Sequence, residues 1–135
     1  MPAACREACC GAAPRFTVSE LFERGLRRSR ATPLEIAGPV HVGPDRLSTS
    51  FSLDVSSGRV AEVRFRASSC ATLIAYCEFI AEHAQGLAID TADAGLGAAA
   101  LVAAVPGVPA LKRDRAVLAA AAFRAALRQA AGARE

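Results

Sequence analysis

The stretch Ser50-Phe51-Ser52-Leu53-Asp54-Val55-Ser56-Ser57-Gly58-Arg59-Val60-Ala61-Glu62-Val63-Arg64-Phe65-Arg66 decides the fold. Phe51, Leu53 and Val55 alternate with Ser50, Ser52 and Asp54. Ala61, Val63 and Phe65 then alternate with Glu62, Arg64 and Arg66. Successive side chains of a strand point to opposite faces, so each run has one apolar face for a core and one polar face. The link Ser56-Ser57-Gly58-Arg59 is turn-like. The pattern predicts a β-hairpin with one buried face. Its polar face carries acids and arginines that can pair across the strands, which stabilises little when exposed.

Downstream, the period changes from two to helical. Ser68 and Ser69 offer an N-cap. Cys70, Leu73, Ile74, Cys77, Ile80, Ala81 and Ala84 follow on one face, while Glu78, Glu82 and Gln85 lie away from it. Gly86 suits the position just past the helix end. Upstream, Thr17 with Glu20 forms a capping box, and Val18, Leu21, Phe22 and Leu26 make an apolar stripe. Arg27, Arg28 and Arg30 suit the C-terminal end of that helix, and Pro33 ends it. Residues 31–46 read as a connecting stretch broken by Pro33, Gly38, Pro39, Gly43 and Pro44. Beyond Gly86, Asp90 or Thr91 caps a short Ala-rich helix with Leu101 and Val102 inward. Pro106-Gly107-Val108-Pro109 breaks it, and a last helix runs from about Asp114 to Ala131 on Ala116, Ala120, Phe123 and Leu127. The expected class is α+β: a small antiparallel sheet with helices packed on one face.

The chain has 135 residues, enough for one domain with a core that needs no staples. The expected division is a flexible Cys/Ala-rich tail over 1–15 and a single domain over 16–132. Aromatics make up only 5% of residues, too few for a base-stacking surface, and the +3 charge is spread out, so nucleic acid is not an expected partner. No apolar run reaches membrane-span length; the stretch from Ala98 to Ala110 is broken by Pro106 and Pro109. Residues Met1 to Phe16 have no apolar central region of the signal-peptide kind, so a cytoplasmic protein is expected. Five cysteines, an odd number, argue against a disulfide framework there.

Cys70 is the residue with chemistry. It sits where a strand hands over to a helix, and backbone N–H groups and the helix dipole there favour a thiolate. Such a thiolate is a soft ligand for iron or zinc, or a sulfur acceptor; the plain alternative is a small buried hydrophobe. Cys77, two turns on, belongs to the core stripe. His41 and His83 read as ordinary surface histidines. Cys5, Cys9 and Cys10 have no specific metal spacing. Nothing resembles a hydrolase triad or a phosphate loop, and an enzyme is not expected.

The run Val60-Ala61-Glu62-Val63-Arg64-Phe65 followed by Ser68-Ser69-Cys70-Ala71 resembles the NifU-like, or U-type, iron–sulfur cluster assembly scaffold family. Its members carry a strand ending in a charged-Phe pair, a Gly-Cys step and a helix of small residues. The resemblance continues from Glu82 to Gly86 and reaches Val108-Pro109-Ala110-Leu111-Lys112, which is similar to the family's Leu-Pro-Pro-Val-Lys loop. In some members that loop is bound by a dedicated Hsp70-type chaperone. The resemblance thus implies Val108, Pro109, Leu111 and Lys112 as partner-binding residues, although Ala110 replaces the second proline.

The resemblance also implies a cluster site on three cysteines. The second matches Cys70. Where the first is expected the chain reads Asp45-Arg46-Leu47, and where the third is expected it reads Asp114-Arg115. Asp45 and Asp114 are the implied replacement ligands beside Cys70. Arg115 donates hydrogen bonds only and repels a cation, so it pairs instead with Asp45, Asp114 or a Cys70 thiolate. One thiolate and two carboxylates hold zinc or ferrous iron weakly, and poorly suit a [2Fe–2S] cluster, which wants about four soft ligands. The cofactor is therefore an iron–sulfur cluster, iron or zinc, or none. Two functions follow: a scaffold with a degenerate metal site, or a pseudo-scaffold serving as accessory subunit or binding module of an iron–sulfur enzyme or respiratory complex. Expected partners are proteins of the iron–sulfur assembly machinery or of such a complex. Oligomeric state is not legible.

Overall fold

A computed structural model describes residues 15–133, so the tail reading and Cys5, Cys9 and Cys10 fall outside the described residues. The hairpin lies at the centre. Strand β3 (Ser48–Ser56) pairs antiparallel with β4 (Arg59–Ala67). Ser57 and Gly58 turn the chain at φ 55° and 75°. Two consecutive positive-φ residues match the right-handed twist of the strands they join. Phe51 opposes Phe65 and Leu53 opposes Val63, and all four are buried.

The alternation breaks near the turn. The register shifts between Asp54 and Val55, so that Asp54 opposes Glu62 but Val55 opposes Val60. Ala61 is the extra residue and is exposed, while Val60 is fully buried. A bulge of this kind moves one position to the other face. Strict alternation would have placed Ala61 inward. The stretch 31–46 is also more ordered than its breakers imply. Two-residue strands β1 (Ile36–Ala37) and β2 (His41–Val42) pair with Leu53–Ser52 and with Thr49–Ser48 of β3. Strands that short carry no periodic signal; the open edge of β3 recruits them.

Helix α1 (Val18–Ser29) starts on the expected capping box, with both Thr17–Glu20 hydrogen bonds formed. Helix α2 (Ala71–Ala84) is the central helix, and packs on α1, on the sheet and on α5 (Asp114–Ala133). Its N-cap is Cys70 rather than a serine, with no side-chain cap bond. Ser68 is engaged elsewhere, accepting the Ser48 N–H at 2.8 Å. The helix ends at Gln85, followed by Gly86 at φ +86°. Between α2 and α5 stand two short helices in place of one, α3 (Ile89–Gly95) and α4 (Ala98–Ala104). Phe123, Leu127 and a run of alanines on α5 pack inward, and Phe123 meets Phe51 edge-on at 5.4 Å. The architecture is α+β, a four-stranded antiparallel sheet with helices against its apolar face.

The largest departure from the sequence reading is on α2. Glu78, expected to point away from the core, is 1% exposed. Helix α1 covers that side. Gly25 makes the approach possible: a Cβ there would lie 2.5 Å from Ile74 Cγ2 and 3.2 Å from Glu78 Cβ. Arg28 donates Nε–H to Glu78 Oε1 at 2.7 Å, a second N–H to Oε2 at 3.2 Å, and a third to the Val63 carbonyl at 2.9 Å. One turn away, Arg24 grips Glu82 with two N–H groups. On the outer face of the sheet, the arginines do not pair across strands. Arg64 bonds Glu62 on its own strand and the Thr32 carbonyl, and Arg66 bonds the Ala31 carbonyl, tying the 31–32 loop down.

Candidate functional site around Cys70

Cys70 is half-buried at the N-terminus of α2. Its backbone is fixed from both sides: its N–H donates to Ser68 O at 2.7 Å, and its carbonyl accepts from Ile74 N–H at 2.9 Å. The strand end and the first helical turn therefore set where the thiol stands. Cys77, in contrast, is wholly buried with its sulfur 3.4 Å from Thr49 Oγ1. Burial pushes its thiol up to about 12, so it is an inert core residue.

Three segments converge near Cys70, and Arg115 joins them. Arg115, on the first turn of α5, is only 12% exposed along its side chain. It donates to Asp114 Oδ1 at 2.6 Å, to Asp45 Oδ2 at 3.2 Å and to the Leu111 carbonyl at 3.4 Å. Hydrogen bonding to Asp114 first, and to Cys70 second, raises the guanidinium above its ordinary range, so the cation is held more firmly still. Asp45 reaches this point because the Pro44–Arg46 turn holds it at φ 62°. Its side chain is 68% exposed, and that of Asp114 41%.

The structure thus gathers Cys70, Asp45 and Asp114 around one arginine. Both carboxylates spend an oxygen on the guanidinium. Arg115 Nε is also buried with no hydrogen-bond partner among the described residues. The pocket therefore presents surplus donors, where a cation needs lone pairs. Among the described residues, no group of three His, Cys, Asp or Glu side chains could hold a metal ion. Among the described residues, one accessible thiol beside a fixed positive charge does not fit an iron–sulfur cluster, whose irons call for several thiolates.

The Val108–Lys112 run divides. Val108 is 2% exposed and anchors the loop in the core. Pro109 and Lys112 are at the surface, and Leu111 is 91% exposed at the tip of a short 3₁₀ turn over Ala110–Lys112. The Leu111 carbonyl bonds Arg115, which couples this loop to the Cys70 pocket. Val42 and Val117, 71% and 60% exposed, are further exposed apolar side chains on β2 and α5. Sequence reasoning missed both; a valine in a strand or helix gives no sign of exposure until its neighbours are placed.

The geometry is thus a thiol at a strand–helix junction, on a small antiparallel sheet backed by helices, with a proline-punctuated loop coupled to it. The sequence model of the NifU-like N terminal domain family matches residues 24–134, and the chain belongs to that family. No curated protein matches it. Among the described residues, no helix is long and apolar enough to cross a membrane.

Proposed function

We propose that this chain uses the scaffold fold as a binding module, a pseudo-scaffold that is not itself an enzyme and does not build clusters. It works as an accessory protein of the iron–sulfur assembly machinery or of a larger iron–sulfur complex. The observation that carries this reading is Arg115, its side chain only 12% exposed and bonded to the two carboxylates beside Cys70. A guanidinium is charged at every physiological pH and donates only. It supplies internally the positive charge that a cationic cargo would bring. Pro109, Leu111 and Lys112 are the accessible part of the loop and the proposed partner contacts.

Anaerobic reconstitution with ferrous iron and sulfide tests it. The expected result is no visible absorption and no retained iron, with Cys70→Ala indistinguishable from wild type. The protein captured from its own cells is expected to carry a stoichiometric protein partner, weakened by Leu111→Ala. A brown species that disappears in Cys70→Ala would instead identify a working cluster carrier and end the pseudo-scaffold reading.

A further inference from the structure

An open cleft of about 650 Å³ lies where α1 packs on α2 and meets β4. Apart from Ala31, every described residue lining it is charged: four arginines and three glutamates. The glutamates are already engaged. Arg24 holds both oxygens of Glu82, and Arg28 holds both oxygens of Glu78. Arg64 donates to Glu62 Oε2 at 2.9 Å. The fourth arginine, Arg27, is exposed, and among the described residues no carboxylate lies within ion-pair distance of it.

The excess of positive charge continues onto the sheet. A hollow of about 120 Å³ shares Ala31 and Arg64 with the cleft and adds Arg66. Arg64 and Arg66 are two residues apart on β4, hence on one face and about 7 Å apart along the strand. Across the strand pair they oppose Ser52 and Ser50, so neither has a carboxylate opposite. The dipole of α1 favours cations in its last turn, Arg27 and Arg28. It has no bearing on Arg64 and Arg66, which reach the same opening from the sheet.

Shape and chemistry together indicate the occupant. A guanidinium carries five N–H donors in a planar fork that matches a carboxylate, and Arg24 and Arg28 each grip a carboxylate in this way here. The interleaved glutamates repel a continuous phosphate backbone, and an apolar segment finds only Ala31 in the larger cleft. In an extended chain every second residue falls on one face at a repeat of about 7 Å. Acidic residues at alternate positions therefore match the interval from Arg64 to Arg66.

We propose that this cleft, from the α1–α2 seam onto β4, docks an extended acidic segment of a partner protein, with Arg27, Arg64 and Arg66 taking its carboxylates. The proposal goes beyond the pseudo-scaffold reading and does not depend on it, since the cleft shares no described residue with the Cys70 pocket or the Leu111 loop.

The test titrates the full chain with a capped octapeptide of alternating Glu and Ser, followed by amide NMR. The peptide is expected to bind at low ionic strength and to weaken as salt is added. Arg27→Glu/Arg66→Glu is expected to weaken it at least tenfold. Arg124→Glu/Arg128→Glu, which changes the net charge equally at exposed positions of α5, is expected to weaken it less than threefold. In wild type, which needs no variant to fold, residues 27, 31, 64 and 66 are expected to shift and residues 111–115 to stay in place. Absence of binding overturns the proposal. So does equal weakening by the two double variants, which assigns the attraction to net charge and not to the cleft. Shifts confined to residues 111–115 overturn it by moving the contact to the Cys70 end. Tighter binding of an oligothymidine of equal charge overturns it in favour of nucleic acid.

Discussion

Two clusters of arginine and carboxylate stand at different places on this fold, and they differ in which partner is buried. Between α1 and α2, the carboxylate is inside: Glu78 is 1% exposed, with Arg28 at 21% above it. Beside Cys70 the arginine is inside: Arg115 is 12% exposed, with Asp45 at 68% and Asp114 at 41%. The first arrangement fastens two helices, since an unpaired buried carboxylate is expensive. The second holds a largely covered cation against counter-ions that face water. The same ion-pair chemistry thus buries the anion in one place and the cation in the other.

The comparison breaks most visibly at Arg28. Arg28→Ala strands Glu78 in the core, and removal of one partner from a buried pair costs about 3–5 kcal/mol. Urea unfolding at pH 8 is expected to show that loss. Arg28→Met with Glu78→Leu is expected to recover most of it, because two apolar groups leave no charge uncompensated.

Gly25→Ala tests the geometry that lets the seam close. The added Cβ meets Ile74 Cγ2 at 2.5 Å, so α1 has to shift. Overpacking of this kind costs about 1–3 kcal/mol. Gly107→Ala is the control, with nothing among the described residues within 4 Å of its Cβ, and is expected to change the unfolding midpoint little.

The seam also responds to pH. Burial, opposed by the Arg28 hydrogen bonds and helped by Glu82, pushes the Glu78 carboxyl up to about 7. At Glu82, burial works upward too, but hydrogen bonds from Arg24 and Glu78 overcome it and bring that carboxyl down to about 2. Between the ordinary 4.5 and about 7, the folded state holds a proton at Glu78 that the unfolded chain has released. Stability from this group is therefore complete below 4.5 and is lost as pH rises through 7. Glu82 acts oppositely, with its contribution present above 4.5 and lost as pH falls toward 2. Unfolding midpoints against pH are expected to fall between about pH 5 and 7.5 in wild type, with the slope reduced in Glu78→Gln.

The smallest effect is expected at Asp45. Its bond to Arg115 is solvent-facing, and exposed pairs contribute about 0–1 kcal/mol. Asp45→Ala is expected to leave the unfolding midpoint nearly unchanged. A loss comparable with Arg28→Ala would show that the pocket fastens the fold as the seam does.

Much of this was legible in the residues. The alternation from Phe51 to Phe65, the Thr17–Glu20 box and the spacing from Leu73 to Ala84 are local signals, and each element stands where its signal lies. The acceptors expected for Arg115 include both carboxylates it bonds, Asp114 and Asp45, because a donor-only cation among few acceptors has few choices. Other features were not local. The strands at Ile36 and His41 exist through the edge of β3, and the bulge at Ala61 reflects how the strands close on the turn. Glu78 looked solvated because the helix that buries it comes from fifty residues earlier, Arg28 to Glu78.

By itself, the sequence determined the class of fold and the place of Cys70 at a strand–helix junction. Those are properties of residue type and short-range spacing. Only the tertiary structure decided that Arg115 is half-buried among its acceptors, that Val108 is an anchor while Leu111 is exposed, and that Phe16 packs against Phe79 and His83. Burial depends on what packs against a side chain, and each of those neighbours comes from a different element of the fold.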